Sequence, residues 1–443
     1  MTRRKVIIIV VIVLLIPVLI LGLVTILRPP PADTIDVVAK WTGTEEANFR
    51  SVLSAFVEQR DRKTVVQYHS IQRDIGEELR ERVERGGPYD QGGPPDIAIL
   101  PQTGAMTKLI RLNALQPVSS STAQLVHDNY TGFWRQLTTV NDILYGVFVK
   151  ANHKSLFWYS APTFRDANVR EPETWVQLQA VVKALADRSV TPLAVGGGDA
   201  WNLTDWFENI YLRTAGEERY RRLACRQIRF TDPTVKDALA TMAQVVRSDW
   251  IAGGRDAIYT TYEKSVEQVF SSDRQRAAML SGADYTASEI AKYASVEARY
   301  FPFPSFHGER PSLLVGGDVA VQLRRSAAGN DLINFLAKPE AAKPWADLAV
   351  QTGGFISPNL KVNPKLFPDE LFAVVDAVRS AGDKNAARYD LSDSFPSSFG
   401  STDRKGMFKI FQDFLWDGPS SLEATASRLE EQASVAVPTP WCP

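Results

Sequence analysis

The chain has 443 residues, with 50 lysines and arginines against 51 aspartates and glutamates. This length exceeds what one hydrophobic core usually organises, so we expect two domains or lobes. The formal net charge is -1, and no long run of one sign follows residue 28. These features exclude the concentrated basic surface that nucleic acid requires of a partner, so no nucleic acid is expected.

The amino terminus predicts a membrane anchor. Basic side chains at residues 3–5 precede an uncharged apolar run over residues 6–27, which would span roughly 33 Å as a helix. The basic cluster keeps the amino end in the cytoplasm and places the rest of the chain outside. A cleaved signal peptide is the alternative, but its apolar region is normally shorter and a small-x-small cleavage site is missing here. We therefore expect a single-pass cell-membrane protein with one N-terminal transmembrane helix.

The next segment alternates strands and helices. Period-2 and short apolar runs predict strands, and apolar residues at i, i+3, i+4, i+7 and i+8 predict a helix facing a sheet. The successive elements lie at residues 36–41, 49–57, 64–71, 74–85 and 95–100. Open parallel sheets of this βαβαβ type bind ligands at the carboxyl ends of their strands. The corresponding loops begin at Trp41, Ser70 and Pro101, and Thr42 with Glu45 has the spacing of a capping box.

A second series of elements begins after residue 146. A short strand at residues 300–304 and a Gly-Gly-Asp turn at residues 316–318 indicate that the chain returns to the first lobe. The part from residue 341 onward is mostly helical in pattern. These elements predict the α/β class.

The run at residues 196–213, GGGDAWNLTDWFENIYLR, places two indoles and several short polar side chains on a glycine-rich loop that leads into a helix. A sugar ring could stack on Trp201 or Trp206, while Asp199, Asp205 or their neighbours bond the hydroxyl groups. The alternative is that these aromatic residues are core, because they recur at helical spacing.

Catalytic and metal-binding motifs are absent from the sequence. It contains no Gly-x-Ser-x-Gly elbow, no phosphate-binding loop and no His-Glu-x-x-His, and its four histidines lack ligand spacing. Asp205 and Glu208 could act as a glycosidase pair, but that chemistry usually takes its two carboxylates from different elements. We therefore expect no enzyme, metal or cofactor.

The two cysteines are Cys225 and Cys442. In an oxidising compartment an even pair is compatible with one disulfide that ties the carboxyl terminus to the second lobe. Two free thiols are the alternative.

An ordered set of motifs carries a family resemblance. They are WTGTEE from residue 41, GGPPDIAILPQTG from residue 92, LYGVFVKANHKSLFWY from residue 144, EPETW from residue 171, the run at 196–213, SGADY from residue 281, GGDVA from residue 316, GGFISPN from residue 353 and RYDLSDSFP from residue 388. Over residues 35–416 the chain resembles the extracytoplasmic solute-binding proteins of ATP-driven (ABC) sugar importers, in the oligosaccharide and alpha-glucoside branch.

The resemblance implies a two-lobed periplasmic-binding-protein fold with hinge-linked, doubly wound lobes. Residues 1–34 would form the cytoplasmic stub, anchor and Pro-rich spacer, and residues 438–443 a tail. The first lobe would comprise residues 35–147 and 305–346, and the second lobe residues 148–304 and 347–437. The chain would cross between lobes near residues 145–150, near 300–304 and around Val350.

The resemblance also implies a set of cleft residues. These are Gly43, Glu46, Gln102, Trp158, Tyr159, Asp199, Trp201, Asp205, Trp206, Asp284, Tyr285, Gly354, Phe355, Arg388 and Asp393. Structural alternatives exist: an ion pair between Arg388 and Asp393, a core position for Trp158, or a positive φ at Gly354. Asp199 and Trp201 are preferred over Trp206, because they lie on the loop before the helix.

The function implied is a receptor that captures an oligosaccharide or glycoside by hinge closure and delivers it to an ABC permease. Its partners would be a carbohydrate, the permease subunits and the cell membrane. The alternatives are a membrane-tethered glycan sensor or wall-assembly module without transport, and a glycoside hydrolase.

Overall fold

A computed structural model describes residues 33–434 apart from 61–63, 294–295, 307, 309–311, 353, 368–370, 384–386 and 402–404. The predicted anchor at residues 6–27 lies outside these residues. In the part that the structure describes, every helix is too short or too polar to cross a membrane.

The strands form two main sheets and one short hairpin. In chain order they are β1 (Asp33–Ala39), β2 (Thr64–Ser70), β3 (Ile97–Leu100), β4 (Thr139–Val140), β5 (Ile143–Leu144), β6 (Gly146–His153), β7 (Leu156–Ser160), β8 (Met279–Gly282), β9 (Ala298–Pro302), β10 (Leu313–Gln322) and β11 (Ala387–Tyr389).

Helices cover both sheets. In chain order they are α1 (Gly43–Gln59), α2 (Ile75–Arg85), α3 (Thr103–Arg111), α4 (Ser120–Asn129), α5 (Gly132–Leu137), α6 (Ala161–Asp166), α7 (Trp175–Ala186), α8 (Trp201–Ala215), α9 (Glu217–Ala224), α10 (Pro233–Met242), α11 (Tyr262–Phe270), α12 (Thr286–Ile290), α13 (Ala327–Leu336), α14 (Pro339–Thr352), α15 (Phe372–Asp383), α16 (Leu391–Ser394), α17 (Ser397–Gly400), α18 (Met407–Asp417) and α19 (Leu422–Ser434). Short 3-10 turns lie at Tyr89–Gln91, Ser248–Trp250, Gly254–Tyr259, Pro364–Leu366 and Pro419–Ser421.

The first sheet confirms the predicted βαβαβ unit. β1 pairs in parallel with β2 and with β3, and all four residues of β3 are buried. This is the continuous apolar strand expected of a sheet covered on both faces. β10 completes the sheet: it pairs antiparallel with β3 and parallel with β11 along one edge, and antiparallel with β6 along the other.

The second sheet has the antiparallel order β8-β7-β9. Every residue of β7 is buried, so both of its faces are covered. Leu156 and Trp158 contact the apolar core that continues from the first sheet, whereas Phe157 and Tyr159 belong to a second core. The alternation follows the period of two along a strand.

The carboxyl part of the chain divides between the lobes differently from the sequence-based boundary. Residues from 347 onward were expected in the second lobe, but Phe355, Val374 and Val378 lie in the core of the first, and β11 joins the first sheet. The chain leaves the first core only after Tyr389, where the apolar residues from Leu391 to Leu429 pack in the second core. Helical periodicity identifies a buried face but not the core that buries it.

The Gly-Gly-Asp motif lies inside β10 and is not a turn. The register of β10 against β6 shifts between Asp318 and Val319. A Cβ atom on Gly316 would lie 2.8 Å from Cε of Lys154, and one on Gly317 would lie 2.7 Å from the carbonyl oxygen of Lys150. Glycine is therefore needed here for close approach, which is its other common use within a strand.

Candidate functional site

The first wall of the site is built at the carboxyl ends of β1 and β3. Gly43, with φ of +55°, begins α1 and is exposed, whereas Gln102 precedes α3 and is buried. The expected capping box is not formed, since the side chain of Thr42 makes no cap hydrogen bond. Glu45 instead forms an ion pair with Lys150, and Glu46 pairs with Arg50 on the surface at 2.8 Å.

Lys150 is a buried cation on β6. Its Nζ atom lies 5.2 Å from the ring centroid of Tyr285 and 5.7 Å from that of Trp345. Burial lowers the pKa of Lys150, but the charges of Glu45, Asp318 and Asp284 outweigh this and raise the pKa above its usual value. Lys150 is thus held ionised between a carboxylate of the first lobe and an aromatic ring that follows β8.

The second wall is aromatic. The ring centroid of Trp201 lies 4.5 Å from that of Tyr262 and 5.9 Å from that of Tyr285. Asp199 accepts a hydrogen bond from the backbone N–H of Tyr262 at 2.5 Å. Between Asp199 and Trp201, Ala200 has φ of +63°. Non-glycine residues rarely adopt this conformation, and such residues cluster at functional sites. This turn places Asp199 and Trp201 together at the start of α8.

Asp284 lies where the walls meet. One of its oxygens, Oδ1, accepts the backbone N–H of His153 at 2.6 Å. The other, Oδ2, is buried and has no hydrogen-bond partner among the residues that the structure describes. Burial raises the pKa of Asp284 to about 6. The loop that carries Asp284 is fixed by Trp158, whose Nε1–H donates to the carbonyl of Ala283 at 3.0 Å.

A second buried cation, Lys154, joins three carboxylates from two elements. Its Nζ atom lies 3.4 Å from Oδ1 of Asp205 on α8 and 3.3 Å from Oδ2 of Asp393 on α16, and it also pairs with Asp390. Burial raises the pKa of Asp393 to about 7 and raises that of Asp205. The pKa of Asp390 is lowered, because its bonds to Lys154 overcome the effect of burial.

Glu208, one of the two carboxylates considered for catalysis, is fully hydrogen-bonded within the protein. Both oxygens of Glu208 are engaged, since they accept the backbone N–H groups of Leu391 at 2.6 Å and Ser392 at 3.0 Å and the hydroxyl of Tyr220 at 3.0 Å. Glu208 therefore anchors α16 to α8, and it has the partners of a structural residue.

The family profile described as "Bacterial extracellular solute-binding protein" matches residues 43–343, which is more than half of the chain. The chain belongs to this family. Among relatives of this solute-binding protein, the "Alpha-glucosides-binding periplasmic protein AglE" of Rhizobium meliloti (strain 1021) is 30% identical over 358 residues, 75% of this chain and 74% of the relative. The "Osmoprotective compounds-binding protein GgtB" of Synechocystis sp. (strain ATCC 27184 / PCC 6803 / Kazusa) is 28% identical over 319 residues, 70% of this chain and 74% of the relative.

Solved structures show the same fold. A "Chitin oligosaccharide binding protein" matches with a TM-score of 0.73 at 18% identity, over 91% of this chain and 98% of the other. The two-lobed α/β fold predicted for this solute-binding protein is confirmed by that similarity.

The structure brings several predicted residues to the junction of the lobes. Gly354 has φ of +85° and lies against Tyr285, where a Cβ atom would be 3.4 Å from the Cα of that residue. Gln102 precedes Thr103, whose hydroxyl bonds the carbonyl of Asp393. The others found at or beside the junction are Gly43, Glu46, Trp158, Asp199, Trp201, Asp205, Asp284, Tyr285 and Asp393.

Four predicted residues have other surroundings. Trp206 is fully buried in the second core, 5.2 Å from the ring of Phe157. Tyr159 is buried there as well and bonds Glu171. The remaining two are Phe355, which stacks on Trp345 at 4.9 Å in the first core, and Arg388, which pairs with Glu217 at 2.7 Å and not with Asp393.

Cys225 is buried in the structure. Cys442 lies outside the described residues, so the pairing of these two cysteines stays a prediction.

Neither buried lysine is among the site residues predicted from the sequence. Lys150 and Lys154 occur in the apolar segment GVFVKANHKSLFWY, four residues apart. Lysine is almost never fully buried unless it is paired, so a lysine inside a buried strand indicates nearby carboxylates. That signal predicts nearby carboxylates but does not identify them; in the structure they include Asp318 and Asp390.

Proposed function

We propose that this solute-binding protein captures an oligosaccharide or glycoside between its two lobes and delivers it unchanged to an ABC permease. The observation that carries the proposal is the facing of an aromatic wall by a charged one. Trp201, Tyr262 and Tyr285 form the aromatic wall, and Lys150 with Glu45 forms the charged wall. The C–H face of a sugar ring rests on aromatic planes, and its hydroxyl groups need charged or polar partners.

The relatives support the same class of ligand. The names of two similar proteins refer to alpha-glucosides and to chitin oligosaccharides. We infer that this chain also binds a glycoside, and that the soluble part works outside the cytoplasm. Residues 6–27 would hold it at the membrane as a single-pass anchor.

Capture would proceed by a shift in the population of open and closed forms. A ligand favours the closed form only through the contacts that it gains from both walls. Tyr285 on the second lobe and Lys150 on the first face each other directly, so a sugar seated there would touch both lobes.

Calorimetry on the full chain with a panel of oligosaccharides tests the proposal. We expect at least one sugar to bind, and Trp201→Ala to weaken that sugar about tenfold, because a stacking surface is removed. Phe372→Ala is the matched control, since Phe372 is an exposed aromatic residue outside the site. If no sugar binds, or if both variants bind equally well, the proposal is wrong.

Two further assays separate the alternatives. Stimulation of a permease ATPase by the sugar-loaded protein favours import over a sensing or wall-assembly role. Release of product from a chromogenic glycoside, abolished by Asp205→Asn, would favour a hydrolase.

A further inference from the structure

The junction of the lobes carries more acidic than basic side chains. Lys150 and Lys154 are its two buried lysines: Lys150 contacts Glu45, and Lys154 contacts Asp205, Asp390 and Asp393. Six carboxyl groups surround them among the residues that the structure describes. These are Glu45, Asp205, Asp284, Asp318, Asp390 and Asp393.

The other charged groups nearby do not reverse this excess. Arg213 lies behind the site, where it bonds Asn209 at 2.9 Å and lies 4.9 Å from the ring of Phe303. With Arg213 counted as a third cation, carboxyl groups still outnumber the cations at the junction. The junction is therefore rich in groups that become negative when they lose a proton, and buried charges are screened little by salt.

One carboxylate oxygen in this group lacks a partner. Asp284 is 1% exposed, and its Oδ2 atom has no hydrogen bond within the described part of the chain. A buried carboxylate oxygen without a donor is costly, so Oδ2 of Asp284 is well suited to accept a hydrogen bond from a ligand. The charged neighbours of Asp284 are Lys150 and Glu45, which belong to the opposite lobe. Opening of the lobes would therefore uncover Oδ2 toward the cleft.

We propose that the cleft selects its glycoside by charge. It binds a glycoside with a protonated amino group in preference to the uncharged analogue, and it rejects the acidic analogue. Oδ2 of Asp284 accepts a hydrogen bond from the amine. This inference rests on the sugar-binding function proposed above. An ammonium group supplies both the missing donor and a compensating charge, whereas a hydroxyl supplies only the donor and a carboxylate supplies neither.

Proton release accompanies binding of the basic ligand. Burial raises the pKa of Asp284 to about 6 and that of Asp318 to about 7. A ligand cation beside Asp284 lowers the pKa of that carboxyl group, so a proton leaves the site near pH 6. An uncharged sugar has no such effect.

Calorimetry on the full chain with an isosteric series tests the selection. The series is maltose, its 2-amino and 6-amino analogues, and its 6-carboxylate. We expect one amino analogue to bind more than tenfold tighter than maltose and the carboxylate to give no measurable heat. Amino and neutral sugars of equal affinity would overturn the inference and leave the proposed function intact. If none of these compounds and no sugar in the panel binds, the proposed function fails instead.

Asp284→Asn locates the selection. Asparagine retains an acceptor for the N–H of His153 and removes the charge, so the preference for the amino analogue over maltose should fall to less than threefold. Asp249→Asn is the control, because Asp249 is a surface partner of Arg247 and should leave the preference unchanged.

A second measurement uses the unmodified protein, in case Asp284→Asn does not fold. At pH 6, where the amine of the ligand is already protonated, titrations of the amino analogue in buffers of different ionisation enthalpy should show net proton release, and maltose should show none. An absence of release with the amino analogue contradicts the assignment.

Discussion

Among the individual residues, Lys154 is a buried cation whose charge depends on neighbouring carboxylates. Its side chain is 9% exposed, and its ammonium group faces three carboxylates. Charges removed from water are stable only when each has a partner. Burial opposes ionisation of Lys154, yet the charges of Asp205, Asp390 and Asp393 raise its pKa well above the usual value.

Replacement of Lys154 by methionine is therefore expected to destabilise the fold. The loss should be about 3–5 kcal/mol in the free energy of unfolding at pH 7.5, because the carboxylates remain buried without a cation. Urea denaturation measures it. Lys183→Met is the control: Lys183 pairs with Asp187 on an exposed helix face, and its loss should cost less than about 0.5 kcal/mol. Equal stability of the two variants would show that the cluster is not what holds α8 to α16.

Asp318 gives the stability of the protein a specific pH dependence. Burial raises its pKa to about 7 in the folded state, whereas an unfolded aspartate titrates near pH 4. Between these values the folded chain holds a proton that the unfolded chain has lost. As pH rises, the free energy of unfolding of the wild type should therefore decrease relative to that of Asp318→Asn. The decrease should be at most about 1.4 kcal/mol per pH unit.

Chemical denaturation of both proteins at pH 4.5, 6 and 7.5 measures this difference. The other titrating groups are common to the two chains, so the difference reports Asp318. A difference that stays flat would mean that Lys150 keeps Asp318 ionised throughout.

At the scale of elements, the segment that carries α16 and α17 joins the two lobes. Glu208 of the second lobe accepts its backbone N–H groups, while Tyr389 donates to the carbonyl of Gly317 in the first sheet at 3.1 Å. The segment also packs closely on α3. A Cβ atom on Gly104 would lie 1.9 Å from the carbonyl oxygen of Phe395.

Gly104→Ala should therefore destabilise the protein by about 2 kcal/mol or more, because a backbone atom cannot rotate away from the added methyl group. Gly132→Ala is the matched control in another helix, where the nearest atom to the new Cβ would be 3.7 Å away. That variant should be neutral or slightly stabilising. Thermal denaturation compares the two, and equal melting temperatures would argue against close packing of α3 on this segment.

Local pattern predicted the elements better than it predicted their partners. The strand ending at Leu100 and the helix at 75–85 follow from apolar periodicity, which is a local property. The partner of Lys154 is not local: Asp390 lies 236 residues further along the chain. Local position alone did favour Trp201 over Trp206, and in the structure Trp201 is half-buried beside Tyr262 whereas Trp206 lies in the core of the second lobe.

At the scale of the whole molecule, closure on a ligand should raise thermal stability. A sugar that binds only the folded protein stabilises it in proportion to the logarithm of its concentration, by about 2.7 kcal/mol at 100 times the dissociation constant. We expect the melting temperature to rise with sugar concentration and the radius of gyration in small-angle scattering to decrease. Trp201→Ala should require a higher concentration for the same shift, and a shift without compaction would contradict binding by closure.

The position of β10 within the first sheet has a consequence for biosynthesis. This strand lies between β3 and β6, but it follows the whole second sheet in the chain. A nascent chain that stops before residue 313 has made β1, β2 and β3 but leaves β3 and β6 without the strand that joins them. The amino-terminal lobe therefore cannot fold while it is being made, and premature termination products should expose bare strand edges that aggregate or are degraded.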